Sequence, residues 1–446
     1  MVIRSADDIF VKELLLQLAP TEQVGQTRLD NGLTILTDFM PGVRSVTVGI
    51  WLRRGARHEA PELNGICHFI EHAVFKGTRR RSALDIAIES DRLGGHLDAF
   101  TMHEMTGFSM KVIDSALDQA FDLLADMLGQ PSFAQTELER ERRVIIEEMK
   151  MVEDTPDEYL AEIFNAAYFP DHPLGRPIEG TEKTVSQFDH RITTDFHRRA
   201  YSPRNLVIAA AGNVRHDELV AMAERAFGDS FNDQASEIDE AQGMDRPENV
   251  SPILVERKKG LEQSHMLIAS PWPDATSPDR YAANTLANIL GGGTSSRLWQ
   301  SIREERGLAY SVGAGGSAYL DTGVFSIYAG TSPEHMDQVL DLSMAELRRV
   351  AREDIPEVEL QLAKDQSIAS ILLSLESSST RAGVLARQEI VHGKRHTPDE
   401  TIARISAVTP ADMRRVAEAC FVTDVMAFAA LGDVNGFNVD RSRLAI

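Results

Sequence analysis

The sequence predicts an α+β fold of two homologous halves, each an antiparallel sheet flanked by helices, because three observations coincide. Short β-branched, alternating runs are interleaved with apolar stripes at three- and four-residue steps. The same order of elements restarts after residue 250. Between the two series, Asn232 to Asn249 is polar and acidic, holds Gly243 and Pro247, and reads as a linker. The 446 residues therefore divide into an N-terminal extension (1–27), a first half (28–231), the linker (232–249) and a second half (250–446). Each half, at about two hundred residues, is long enough for its own core.

The first half opens at the turn Asn31-Gly32. Leu33–Thr37 and Ser45–Trp51 follow as strands, most economically paired as a hairpin. After Asn64-Gly65 comes a helix bearing His68-Phe69-Ile70-Glu71-His72. Gly94–Thr101 and Thr106–Val112 read as two further strands around Met102-His103-Glu104. Ala116, Leu117, Ala120, Phe121, Leu124 and Met127 then form the buried stripe of a helix. A helix from about Gln135 to Val152 buries Leu138, Ile145, Met149 and Val152. It carries Glu141 and Glu148 seven residues apart, nearly on one face, although a glutamate-rich face is ordinarily just solvated.

In the second series, Leu267-Ile268-Ala269 is followed by a helix over Tyr281–Leu290, then Gly291-Gly292-Gly293. Strands lie around Tyr310 and over Gly323–Ala329, and a helix over Met336–Val350. Aligning Thr106-Gly107 with Thr322-Gly323 gives an offset of 322 − 106 = 216, which places His68 and His72 on Asn284 and Asn288, and Glu71 on Ala287. Only the first copy keeps the histidines.

Composition narrows the class. The 43% hydrophobic and 26% charged residues are those of an ordinary globular protein. A net charge of −22 argues against nucleic acid as a partner, since phosphates repel acidic surfaces, and an acidic cavity would favour basic peptides. The cysteines, Cys67 and Cys420, are too few and too far apart for a disulfide framework or a thiolate zinc site. No run of eighteen apolar residues suggests a membrane span. Met1–Gln26, with Asp7, Asp8 and Glu13 around Leu14-Leu15-Leu16, resembles neither a secretory signal nor a transit peptide, so a cytoplasmic, bacterial-type protein is expected.

On a helix, His68, Glu71 and His72 share one face. Two neutral imidazoles there can hold a zinc ion while Glu71 stands free to take a proton from its water, the H-x-x-E-H order of an inverzincin.

The run Gly65-Ile66-Cys67-His68-Phe69-Ile70-Glu71-His72-Ala73-Val74-Phe75-Lys76-Gly77-Thr78 resembles the signature of the pitrilysin-type (M16) zinc peptidases, in particular the processing-peptidase-like M16B subfamily. The likeness extends over almost the whole chain from Asn31. It implies a third ligand some seventy-five residues beyond the second histidine; within Glu141–Met149, 148 − 72 = 76 selects Glu148. Glu147 would face away, and Glu141 matches an acid that orients a ligand. One Zn2+ per chain would then have three protein ligands and an open position for water, with Glu71 as general base.

Ser296–Val312 is similar to the family's R/Y element, with 310 − 303 = 7. The resemblance assigns Arg303 to a substrate carbonyl and Tyr310 to the oxyanion of the tetrahedral intermediate. Asp98-Ala99-Phe100-Thr101 matches the edge strand on which the family binds substrate as an added strand, with Asp98 where Asn is common. Glu104 is a further site-lining candidate. Gly291–Gly293 lacks the phosphate-loop pattern and is expected to be flexible backbone near the cavity. By resemblance, the halves face each other across a cavity and close around unfolded peptides, as an endopeptidase or oligopeptidase. Relatives of this length pair, so a homodimer is expected, with a heterodimer with a related subunit also consistent. The rival reading is a non-catalytic peptide-binding or scaffold subunit, a kind that typically lacks the zinc ligands.

Overall fold

The computed structural model describes residues 23–228 and 245–446. Most of the expected extension and linker lies outside the described residues. The first sheet comprises β1 (Gln23–Arg28), β2 (Thr34–Phe39), β3 (Ser45–Leu52), β4 (His96–Thr101), β5 (Thr106–Ile113) and β6 (Leu206–Gly212), in the order β1-β2-β6-β3-β5-β4. The second comprises β7 (Ile253–Arg257), β8 (Ser264–Pro271), β9 (Ala309–Ala318), β10 (Gly323–Thr331) and β11 (Ala427–Gly432), in the order β7-β11-β8-β10-β9. Without β1 the two orders coincide. In each, the last strand of the half slips between its first two, parallel to one and antiparallel to the other.

That insertion corrects the expected hairpin. β2 and β3 do not pair with each other, because β6 separates them. Every residue of β6 is buried, so its sequence, LVIAAAG, is continuously apolar and shows no alternation. Strand β1, all but Arg28 of which falls in the stretch expected to be an extension, pairs along β2 from Gln23 to Arg28.

One face of the first sheet packs on its own half's helices, burying Val48, Ile50, Phe69, Ile70, Leu124 and Ile208. The opposite face, with Leu36, Trp51, Val207 and Ala209, is covered by Ala382, Leu385 and Ala386. These belong to the helix Ser378–His392 of the second half. Reciprocally, Leu160, Phe164 and Tyr168 of the helix Pro156–Tyr168 cover Leu267, Ala269, Ala427 and Ala429 of the second sheet. The halves exchange helices.

Polar ties reinforce the exchange. Arg381 donates to both carboxylate oxygens of Asp38 at 2.6 Å, with both side chains buried. Arg57, also buried, donates to Glu104 at 2.7 Å and to Asp321 at 2.8 and 2.5 Å. Leaving one member of a buried pair alone costs about 3–5 kcal/mol. Opening and closing the two halves of one chain against each other would have to break such ties. Among the described residues, no helix is long and apolar enough to cross a membrane.

Candidate metal centre and substrate edge

The H-x-x-E-H segment lies on the helix Ile66–Ala73, whose Ile66, Cys67, Phe69, Ile70 and Ala73 are buried. This leaves His68, Glu71 and His72 on the remaining face. The helix starts at Gly65, where φ is +93° and a Cβ would stand 2.5 Å from the carbonyl oxygen of Glu179. Only glycine allows that approach. Buried Glu59 accepts from the Gly65 and Cys67 N–H groups at 2.8 Å, satisfying donors at the helix start.

The helix Gln135–Asp154 crosses this face and brings in Glu148. One ligand atom each from His68, His72 and Glu148 lie within 4.8 Å of one another. The His68 and His72 rings meet edge to face at 4.6 Å, and His72 Nε2 is 3.6 Å from Glu148 Oε2. The other nitrogen of His72, Nδ1, is 3.3 Å from Glu141 Oε2, whose second oxygen takes Lys76 Nζ at 2.9 Å. Glu141 is almost fully buried, so its carboxylate is held in place by both partners. Glu147, one residue before Glu148, points away into solvent and pairs with Lys150.

Burial opposes charge on His72, but Glu141, Glu148 and Glu71 outweigh it and raise its pKa. Burial, with His72 nearby, pushes His68 down to about 4, so this ring stays neutral. His68 Nδ1 is buried without a hydrogen-bond partner. Two imidazoles and a carboxylate are the donor types that a zinc site uses, and a buried imidazole nitrogen without a partner is compatible with such a group.

Glu71 accepts a 2.5 Å hydrogen bond from Thr101 Oγ1 at the end of β4. Burial raises the Glu71 pKa, against that hydrogen bond and His72; Glu148 and Asp98 add to the rise. Among the described residues strand β4 pairs only with β5 and is the sheet's edge, so the backbone of Asp98, Ala99 and Phe100 lies on an edge strand running up to the Glu71 contact.

Glu104 is engaged elsewhere. Its carboxylate accepts from Arg57 and, at 3.0 and 3.1 Å, from the backbone N–H of Leu320 in the second half. Arg303, in the helical segment Trp299–Glu304, stacks between Trp299 and Tyr310, 4.0 and 5.0 Å from the ring centroids, and Tyr310 lies on the other sheet's edge strand β9. Tyr310 is 75% exposed. No hydrogen bond, ion pair or ring contact joins Arg303 or Tyr310 to the metal-site residues within the described chain. Gly291 is not merely flexible backbone, since a Cβ there would stand 2.1 Å from the Ala314 nitrogen of β9.

Sequence reasoning missed a recess beside the centre. It has a volume of about 250 Å³, and Glu158, Glu162 and Glu179 are among its lining residues. Burial and then the charges of Glu179, Glu153 and Glu158 push Glu162 up to about 7. Burial, with Glu141 and Glu179 adding to it, raises the pKa of Glu148, which links the recess electrostatically to the candidate metal site. Glu158 and Glu162, four apart on one helix, were the available signal.

A fold of two homologous halves, with one half bearing a His-His-Glu centre beside a free strand edge, defines a class of metal-site proteins. The chain matches the family profile "Insulinase (Peptidase family M16)" over residues 34–182 and "Peptidase M16 inactive domain" over 193–367. It belongs to the M16 peptidase family. An uncharacterized zinc protease of Mycobacterium tuberculosis is 40% identical over 392 residues, covering 88% of this chain and 89% of that protein. The uncharacterized zinc protease YmxG of Bacillus subtilis is 38% identical over 394 residues, 88% and 95% of the respective chains. A protease from Helicobacter pylori has the same fold, with TM-score 0.86 at 22% identity over 92% of this chain and 99% of that one.

Proposed function

We propose that the protein is a zinc-dependent endopeptidase or oligopeptidase acting on unfolded peptides. The observation that carries this reading is the gathering of His68, His72 and Glu148 within 4.8 Å, beside a Glu71 anchored to the edge strand. One zinc ion per chain, when bound, would supply a Lewis acid and a water whose pKa is lowered to about 7.

The protein's own residues do the rest. His68, His72 and Glu148 would hold the metal, and Glu141, braced by Lys76, fixes the ring of His72. Glu71 takes a proton from the attacking water and returns it to the leaving amine. Its pKa is raised by burial, which suits a group that must both accept and release a proton. Thr101 keeps the carboxylate aimed. A substrate strand adds to the free edge of β4 along Asp98, Ala99 and Phe100, so its backbone is read before its side chains. The recess, whose Glu158, Glu162 and Glu179 outnumber its Arg176, then favours a basic side chain in the substrate.

Arg303 and Tyr310 would bind the substrate carbonyl and the oxyanion. They touch none of the metal-site residues of their own chain, and the exchanged helices tie the halves together. We therefore assign these two residues to the site of a second copy in a homodimer, rather than to closure within one chain. A scaffold subunit needs no metal ligands, and this chain keeps the full set.

The test is cleavage of a peptide library by zinc-loaded protein, with chelated protein and Arg303→Ala as controls. Cleavage abolished by chelation and weakened by Arg303→Ala supports the reading. Cleavage indifferent to both overturns it.

A further inference from the structure

The second half carries a cavity of about 500 Å³ that neither the metal centre nor the substrate edge uses. Arg280, Lys394, Arg395 and Arg404 line it together with His396, and Glu400 is its one carboxylate. In a chain with 68 acidic and 46 basic residues, such a concentration of positive charge runs against the overall balance. The nearby acids are already committed. Glu400 accepts from the backbone N–H of Thr397 at 3.0 Å as part of a helix cap. Asp279, next to Arg280, is paired with Arg415 at 2.6 Å.

The cavity is also partly preorganised. Arg280 lies over the Tyr281 ring at 4.4 Å and donates to the Tyr281 hydroxyl at 2.8 Å and to the Ser277 carbonyl at 2.9 Å. No ion pair is formed by Arg280, Lys394 or Arg404 with any described residue. The repulsion is felt locally. After burial, Arg280 and Lys394 depress the pKa of His396 against the opposing charge of Glu400, and Arg280, His396 and Lys394 depress that of His392. An occupant that carries several negative charges would relieve this repulsion.

Arg395 and His396 form a shared wall with a second recess of about 230 Å³. This one is largely apolar, with Ile371, Leu375, Val384 and Leu385 among its lining residues. Val384 is 45% exposed there, although its helix is the one that covers the first sheet. A charged chamber beside an apolar one suits an oligophosphate joined to an aromatic body.

We propose that the cationic cavity around Arg280, Lys394 and Arg404 is a binding site for an oligophosphate group, carried by a nucleotide or free. Two phosphates bridge the guanidinium and ammonium groups, which present donors without needing to break carboxylate pairs. A nucleotide would place its base in the apolar recess. Occupancy would press on the Ser378–His392 helix, whose Arg381 holds Asp38 of the first half.

The experiment is calorimetric titration of the zinc-loaded, full-length protein with inorganic pyrophosphate and, separately, with adenosine diphosphate, against the variant Lys394→Glu/Arg404→Glu. Both substituted residues are exposed, and the variant's melting temperature reports that it folds. The expected result is saturable binding to the unmodified protein and at least tenfold weaker binding to the variant. Tighter binding of adenosine diphosphate than pyrophosphate identifies a nucleotide as the source, and equal binding identifies free oligophosphate. No saturable binding of either probe overturns the proposal. So does undiminished binding to the folded variant, which would place the phosphates on the metal centre instead.

Discussion

Truncating Glu141 tests how the metal centre is held. Its carboxylate is 5% exposed and has two partners, His72 Nδ1 at 3.3 Å and Lys76 Nζ at 2.9 Å. Glu141→Ala removes the acceptor that fixes the His72 ring, while Lys76, 34% exposed, can turn to water. Loss of such an orienting partner typically weakens metal affinity by about 10–100-fold, or about 1.4–2.7 kcal/mol. Glu147→Ala is the matched control, because that side chain is 69% exposed and pairs only with Lys150. Zinc titration against a competing chelator, with both variants checked by thermal melting, should show a 10–100-fold loss for Glu141→Ala and none for Glu147→Ala. Wild-type affinity in a folded Glu141→Ala protein would refute the orienting role.

Three further outcomes are expected. Asp38→Ala leaves Arg381 charged and buried, so thermal or urea melting should show a loss of about 3–5 kcal/mol, largely restored by Asp38→Leu/Arg381→Met; an additive double variant would mean the pair does not couple the halves. Glu162, with its pKa raised to about 7, is charged only above that value. Selectivity for peptides bearing arginine over leucine, read as a ratio of kcat/KM, should therefore fall as pH drops from 8 to 6, and Glu162→Gln should remove that dependence; a ratio flat with pH in the unmodified protein would contradict it. Gly65→Ala meets the Glu179 carbonyl at 2.5 Å with φ at +93°, so melting should show destabilisation of at least about 1–3 kcal/mol; an unchanged melting temperature would show that the loop yields.

What the sequence revealed about the fold and the site was what depends on local spacing. His68 and His72 stand one helical turn apart, and Glu148 lies two turns after Glu141 on a single helix, so their faces follow from helical period alone. The duplication was visible because the order of elements repeats, and the same strand order now recurs in both sheets. What escaped depends on packing between distant segments. β6 carries no alternation because both its faces are buried, so the hairpin of β2 and β3 looked sufficient without it. The helices Pro156–Tyr168 and Ser378–His392 bury themselves on the opposite half, which no pattern within either helix records. Glu158 and Glu162 resemble an ordinary solvated face until the Pro177–Glu179 segment folds over them. The sequence suggests Glu104 as lining the site, yet Arg57 and Leu320 claim its carboxylate.

We propose that the His68–His72–Glu148 centre hydrolyses peptides with Glu71 as the base. The most direct test is a paired measurement of bound metal and peptide cleavage on Glu71→Gln, which keeps the side chain's shape and a hydrogen-bonding partner for Thr101. One zinc ion per chain is expected in both proteins, with a loss of at least about 100-fold in kcat for the variant. Cleavage at the wild-type rate by metal-loaded Glu71→Gln, or an unmodified protein that binds no zinc, would contradict it.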